Sequence, residues 1–339
     1  MKLLDYICQF YVGITLIYLG LVKLLDPVGT GLIMCDYLNH LNLAFLTPAA
    51  TGTGIALSAV ATLTGVALIG EIRFPHAAAV SMLIFAAMLS LSVVLLVIHA
   101  TWGPVGHPKL LRNALLFIMS LFLFLRRGKV VPLGSRLFER GVLAVFAAVL
   151  LFVAIDSLRS IPRVDFTPFP LGSAFQRAND GEIHSDPAPS EGPMVAAVAW
   201  DAASLGSGEW DDVATLRSRL ELRQVPFRLY SDNPDVPDLF SDVVRIAPRA
   251  DLIALMRSNG GAVYFYDGGI VTKWPHRDIS RSVVDDTLGG DPDEALIAFF
   301  SAEKTFGRTL FASLLLAALL VRYFSRFRKK RRESVAIDE

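Results

Sequence analysis

Residues 11–31 read YVGITLIYLGLVKLLDPVGTG. The stretch is apolar and uncharged until Lys23, and Asp26 and Pro27 then follow in quick succession. Crossing the hydrocarbon of a bilayer takes about 20 mostly apolar residues in helical form. Residues 6–25 therefore read as a first spanning helix. Its polar end admits two readings. In one, Lys23 snorkels to the interface and the proline marks the helix exit. In the other, Lys23 and Asp26 belong to a polar site held at the membrane rim.

The rest of the chain supports a membrane class. Of 339 residues, 53% are hydrophobic and 19% charged, and the mean hydropathy is +0.49, which is too apolar for an ordinary soluble domain. The formal net charge is zero, so bulk charge makes no case for nucleic-acid binding. Basic residues concentrate in RRGKVVPLGSRLFER (126–140) and RYFSRFRKKRR (322–332). The second cluster reads as a topogenic anchor ahead of nucleic-acid or anionic-lipid recognition. No small-residue cleavage site follows the first apolar run, so that helix is expected to be retained.

Spans are expected at 6–25, 50–70, 77–99, 110–125, 141–158 and 306–324. Arg308 and Arg322 flank the last, and Lys109 and Arg112 the fourth; such long side chains can snorkel and lengthen a short span. Lysines and arginines favour the cytoplasmic side of short loops, which places 126–140 and the C-terminal tail inside. Six spans then place both termini in the cytoplasm and residues 159–305 outside, in the periplasm of a Gram-negative cell. The first outer loop, 26–49, carries no Lys or Arg and agrees; Lys109 and Arg112 in a later outer loop do not. The resulting divisions are a four-span membrane domain (1–130), a cytoplasmic loop with the fifth span (131–158), a linker (159–193), an outside domain (194–305), the sixth span (306–324) and a basic cytoplasmic tail (325–339).

The linker is rich in Pro, Ser, Asp and Gly and reads as irregular. Beyond it the pattern becomes globular. MVAAVAW (194–200) reads as a buried strand, 209–224 as a helix with apolar positions Trp210, Val213, Leu216 and Leu220, and FRLYS (227–231) as a strand. Residues 249–257 read as a helix. AVYFYDGGIVTKW (262–274) is two β-rich runs around Asp267-Gly268-Gly269, a hairpin signal. A helix at 291–301 completes the order strand, helix, strand, helix, hairpin, helix, which resembles the thioredoxin fold.

A thioredoxin carries Cys-x-x-Cys after its first strand, where a helix N-terminus lowers a thiol pKa. Here that stretch is DAASLGSGEW (201–210), and the outside domain contains no cysteine at all. Ser258-Asn259-Gly260-Gly261 stand where a thioredoxin has its cis-proline. The domain is therefore expected to be redox-silent. The two cysteines of the chain, Cys8 and Cys35, are expected on the order of 30 Å apart from helical rise. That is far beyond the roughly 7 Å a disulfide tolerates. Cys35 reads as a free structural cysteine that could still meet a partner's thiol.

YLGLVKLLDPVGTGLIMCDYL (18–38) resembles the first span and loop of the DoxX/MauE-like membrane proteins. SIPRVDFTPFPLGS (160–173) and LIALMRSNGGAVYFYDGGIVTKW (252–274) are similar to segments of bacterial members that carry an extra outside domain. The resemblance implies a mainly α membrane protein: a DoxX-like four-helix bundle, two further spans and an inserted thioredoxin-like α/β domain outside the cytoplasm. It also implies redox-associated roles, such as amine-dehydrogenase maturation or thiosulfate–quinone chemistry. The chain departs from the family at HATWGPVGHPKLLRN (99–113), where a Cys-Gly-Cys-type motif is common, although Arg112-Asn113 keep a basic-Asn pair. An acidic residue frequent in the family's second span has Ala61-Thr62 in its neighbourhood.

No phosphate loop, nucleophile elbow or zinc-protease motif occurs, and no catalytic residue is assigned. His40, His99 and His107 could share the outer rim, but no ligand spacing supports a metal. Gly52, Gly54, Gly65 and Gly70 read as close helix packing. The candidate ligand or partner site is Lys23, Asp26, Arg112 and Asn113. Two cations beside one carboxylate suit an anionic or carbonyl-bearing ligand, a quinone included. The function expected is that of a non-catalytic protein of the bacterial inner membrane, embedded in the lipid bilayer, which binds an envelope protein partner or supports maturation of envelope redox proteins. The alternative is a membrane subunit of a quinone-linked oxidoreductase. A transporter would need a proton relay or inverted repeat, and neither is visible.

Overall fold

The structure, a computed structural model, describes residues 2–40, 42–98, 106–129, 136–159, 167, 169, 171–172 and 192–338. The chain forms two compact units, Met1–Ile155 with Arg308–Glu339, and Asp156–Gly307. Of the expected loop at 99–113, residues 99–105 lie outside the described residues and the remainder is helical from Gly106; most of the expected linker also lies outside them.

In the first unit, α1 (Lys2–Leu25), α3 (Ala50–Ile69), α4 (Phe74–Ile98), α5 (Gly106–Leu125) and α6 (Arg136–Arg159) are long helices, and the far part of α10 (Pro292–Asp338) joins them. Five stretches are long and apolar enough to cross a membrane: Leu3–Leu25, Ala44–Ile69, Phe74–Val94, Leu137–Leu158 and Pro292–Phe324. Leu110–Leu125 is a shorter apolar helix. The protein is thus a mainly α, multi-pass membrane protein.

The expected outer loop at 26–49 is largely helical instead. α2 occupies Pro27–His40, and a 3₁₀ turn covers Ala44–Ala49. The reason is local. The Asp26 carboxylate accepts the Gly29 N–H at 2.8 Å, which satisfies a free donor of the new helix as an N-cap does. Pro27 follows at the first helical position, where its missing N–H costs nothing. The Thr30 hydroxyl donates to the Lys23 carbonyl at 2.9 Å, covering one of the open carbonyls at the end of α1.

α1 and α3 run antiparallel and touch along a seam of small residues. A Cβ on Gly20 would fall on Thr62 Oγ1 and within 2.5 Å of the Ser58 carbonyl oxygen. One on Gly65 would lie 2.5 Å from the Gly13 carbonyl oxygen and 2.9 Å from the Ile17 nitrogen. Lipid tails are as apolar as leucine, so close backbone approach of this kind is what drives helices together in a bilayer. Ser58 and Thr62 direct their hydroxyls to the carbonyls of Gly54 and Ser58 on their own helix, leaving no unmet polar group in the seam. Gly54 packs in the same manner against Thr30 of α2, whereas Gly52 faces open space and Gly70 meets only its own turn. The glycine reading therefore holds at 54 and 65 and fails at 52 and 70.

The second unit is a five-stranded sheet in the order β3-β2-β1-β4-β5. The strands are β1 (Pro193–Ala199), β2 (Phe227–Ser231), β3 (Val244–Ile246), β4 (Gly261–Tyr266) and β5 (Gly269–Trp274). β1 pairs parallel with β2, and β2 with β3. β4 runs antiparallel to both β1 and β5. The β4–β5 turn places Asp267 and Gly268 at φ of 49° and 76°, the two left-handed positions of a type I′ hairpin. β1 is buried from Met194 to Ala199 because both faces are covered. Val195, Ala197 and Ala199 face the side of α7 (Ser207–Leu222), with Leu216 and Leu220. Met194, Ala196 and Val198 face α8 (Arg249–Leu255) and Phe299 of α10.

The short strand β3 and the helix α9 (Ser282–Gly289) have no counterpart in the sequence reading. Part of the expected linker is also packed. The Gly172 N–H donates to the Ile270 carbonyl at 2.8 Å on the β5 edge, and Lys273 donates to the Thr167 hydroxyl at 2.6 Å and the Phe169 carbonyl at 2.7 Å. Leu171 is buried beneath them.

Overpacking a close-packed contact costs about 1–3 kcal/mol. Gly65→Leu should accordingly lower the thermal midpoint of the detergent-solubilised protein clearly, while Gly52→Leu should leave it within error. Equal effects of the two would contradict the seam.

Candidate functional site

Asn113 and Asp26 are buried, whereas Lys23 and Arg112 are exposed at their side chains. Asn113 donates to the Ser92 hydroxyl of α4 at 2.9 Å, and Arg112 Nη2 donates to the Asn113 side-chain oxygen, Oδ1, at 3.5 Å. The structure thus joins Arg112, Asn113 and Ser92 into one polar contact. Asp26 is engaged in capping α2, beside the exposed Lys23. Among the described residues there is no group of three side chains fit to hold a metal. The side chains of His40, His99 and His107 lie outside the described ones.

The strongest polar site of the membrane unit lies at its other end, at residues not singled out by the sequence reading. The α3–α4 turn holds Glu71 at φ 56° and Arg73 at φ 43°, a left-handed conformation that costs an ordinary residue of order 1–3 kcal/mol unless its surroundings hold it. The surroundings are arginines. Arg322 Nη2 lies 2.7 Å from Glu71 Oε1, and its Nη1 donates to the Ile69 carbonyl at 3.3 Å. Both side chains are under a tenth exposed. Arg326 donates through Nε to Glu71 Oε2 at 3.1 Å, and through Nη2 to Glu71 Oε1 and the Tyr6 hydroxyl. The Arg322 guanidinium stands over the rings of Tyr6 and Phe10 at 5.2 and 5.0 Å, an arrangement worth more when desolvated.

Arg322, expected to snorkel out of the last span, is turned inward instead. The apolar run before it gave the right position in sequence, and only the fold supplied a carboxylate 251 positions away. Beside this cluster Arg126 pairs with Asp5 at 2.7 Å, and Gln9 donates to the Leu68 carbonyl at 2.6 Å. The start of α1, the end of α3, the end of α5 and the far part of α10 therefore share one end of the bundle. α5, whose apolar run is short, must traverse the bundle to bring Arg126 there.

In the second unit, the segment between β1 and α7 is Trp200–Gly206. Asn259 closes it. Its side-chain oxygen accepts the Asp201 N–H at 3.1 Å, while its amide nitrogen donates to the Asp201 carbonyl at 2.9 Å and the Ser204 hydroxyl at 3.0 Å. One side chain thus satisfies both backbone groups of Asp201. Arg249 donates to the Asp201 carboxylate at 2.9 Å and lies 5.2 Å over the Trp200 ring. Asp232 accepts the Ala202 N–H at 3.0 Å. Gly260 follows at φ 72°, where a Cβ would stand 3.1 Å from His276 and 3.2 Å from Leu205. The segment is held by hydrogen bonds and packing, and it contains no cysteine. Both cysteines of the chain are free and belong to the membrane unit, Cys8 buried and Cys35 half-buried.

Fold and site together define a multi-pass membrane protein with an inserted mixed α/β domain. Comparison of the chain with protein-family models, with curated proteins and with solved structures gave no match in any of the three.

Breaking a buried ion pair by removing one partner costs about 3–5 kcal/mol, whereas replacing both by apolar groups is often neutral. Glu71→Leu and Arg322→Leu should each lower the thermal midpoint sharply, and the double variant should recover most of the loss. A double variant as unstable as the sum of the two would show that the residues act independently.

Proposed function

We propose that the chain is a DoxX/MauE-like protein of the bacterial inner membrane, serving as a non-catalytic component that binds or matures envelope redox proteins through an outside domain of thioredoxin type. The resemblance of residues 18–38 and 252–274 supports the family. The strand order β2-β1-β4-β5, with a parallel first pair and an antiparallel hairpin, supports the domain type. The observation that carries the role is the closed segment after β1. Where a thioredoxin presents its thiols, this chain presents Asp201 bridged by Asn259. Thiol–disulfide exchange needs a thiolate. A domain without one offers a surface instead.

The orientation follows from charge. The end of the bundle that gathers Glu71, Arg126, Arg322 and Arg326 is also the end flanked by 126–140 and 322–332, and the positive-inside preference makes it cytoplasmic. The domain then lies outside. A reporter that fluoresces only in the cytoplasm should be bright after Glu339 and dark when inserted at 176–191; equal brightness at both sites would overturn this orientation.

The quinone-linked reading rests on the buried Asn113–Ser92 contact and its neighbour Arg112, since polar groups at membrane depth often mark ligand sites. Mass spectrometry of detergent-purified protein separates the two. The expected result is no bound quinone, together with an envelope protein cross-linked through the 194–305 surface. A quinone present in the wild type and lost from both Lys23→Met and Arg112→Met, with folding intact, would replace the scaffold by the oxidoreductase subunit.

A further inference from the structure

The described ion pairs around Glu71 are not one-to-one. Glu71 supplies one carboxylate to two guanidinium groups, and the nearby Asp5 is paired with Arg126. Among the described ion pairs there, three guanidinium groups face two carboxylates. Arg326 is the more accessible of the two on Glu71, 46% exposed at its side chain against 9% for Arg322. Among the described residues, the bonds of the cluster engage Nε and Nη2 of Arg326.

The surroundings of Arg326 are those of a membrane interface. Tyr6, Tyr323, Phe324 and Phe327 are all exposed. Tyr323 stacks on Phe327 with ring centres 6.4 Å apart and meets Phe324 edge-on at 5.6 Å. Aromatic rings gather at headgroup level because one part of each is apolar and another is polar or polarisable. α10 does not stop where its apolar run stops at Phe324, but continues as a helix to Asp338. The sequence that follows Phe327 is Arg328, Lys329, Lys330, Arg331 and Arg332.

We propose that this end of the bundle is a seat for anionic phospholipid headgroups, with Arg326 as the contact for a lipid phosphate and the basic sequence 328–332 adding charge that attracts it. A topogenic anchor needs only positive charge on the correct side. It does not need a half-exposed guanidinium that shares one carboxylate with a second, framed by exposed aromatic rings and continued by five cations on the same helix. Guanidinium matches phosphate oxygens in shape as well as charge, and each basic residue near an anionic surface adds to the attraction. The aromatic frame selects a lipid over a free ion, because it gives the acyl chains of the same molecule an apolar boundary.

The full-length protein is delipidated in detergent and reconstituted into nanodiscs of phosphatidylcholine, or of phosphatidylcholine with phosphatidylglycerol. Lipids retained on release are counted by native mass spectrometry. The wild type should retain phosphatidylglycerol over phosphatidylcholine by about tenfold or more relative to its share of the disc. The variant R328Q/K329Q/K330Q/R331Q/R332Q, which leaves Glu71 and its partners untouched, should lose most of that preference. Arg326→Gln should lose the most tightly retained lipid. Equal retention of both lipids by the wild type would overturn the proposal, as would a preference unchanged in the five-residue variant. Inorganic phosphate added to the detergent-solubilised protein provides the remaining arm. If it raises the thermal midpoint as much as phosphatidylglycerol does, the site takes a free anion and the lipid assignment fails.

Discussion

A carboxylate and a guanidinium held together at membrane depth constrain both ends of this chain. Glu71 sits in a left-handed turn between α3 and α4, and Arg322 approaches it from the last helix of the protein. Neither charge could stay in apolar surroundings alone, since an unpaired ion there costs several kcal/mol. The pair therefore fixes the depth and rotation of α10 against the first helical hairpin. Tyr6 and Phe10 follow from it, because their rings cover the guanidinium face. So does the placement of Arg326 one turn further along, at the boundary between protein and headgroups.

The packing that allows this is equally specific. Helices in lipid gain little from burying apolar surface against each other, so their contacts depend on shape. Gly13, Gly20 and Gly65 let α1 and α3 approach until backbone meets backbone, and Ser58 and Thr62 fit there because their hydroxyls are absorbed within α3. The hairpin formed in this way is the frame against which the Glu71 turn is held. Polar bonds elsewhere in the bundle, such as Asn113 to Ser92 and Gln9 to the Leu68 carbonyl, join neighbouring helices and leave their groups satisfied.

The inserted domain follows the opposite logic. Its sheet is covered on both faces by apolar layers, as in a water-soluble α/β domain. Its one conspicuous device, the Asn259 bridge across Asp201, closes the segment between β1 and α7. The two units thus spend their polar residues differently: the bundle uses them to orient helices in lipid, and the domain uses them to fix a loop.

Composition and periodicity showed apolar helices, the sheet-forming runs at 194–200, 227–231 and 262–274 to within a residue at each end, and the Asp267-Gly268 turn, because each depends on residues adjacent in the chain. The α2 helix was legible in principle, since Asp26 followed by Pro27 is a helix-start signature. The glycines around it suggested a loop, and the cap bond to Gly29 outweighed them. Lys23, Asp26, Arg112 and Asn113 were visible as ionisable or polar residues near span ends, but their spacing could not show that Asp26 caps a helix or that Asn113 bonds to Ser92. Glu71 drew no reading along the chain and Arg322 read as an ordinary flank, since their meaning comes from a partner 251 positions away. Asn259 is silent in sequence for the same reason. What lies within one or two helical turns can be read along the chain; which charge ends up buried beside which is decided only when distant segments pack and exclude water.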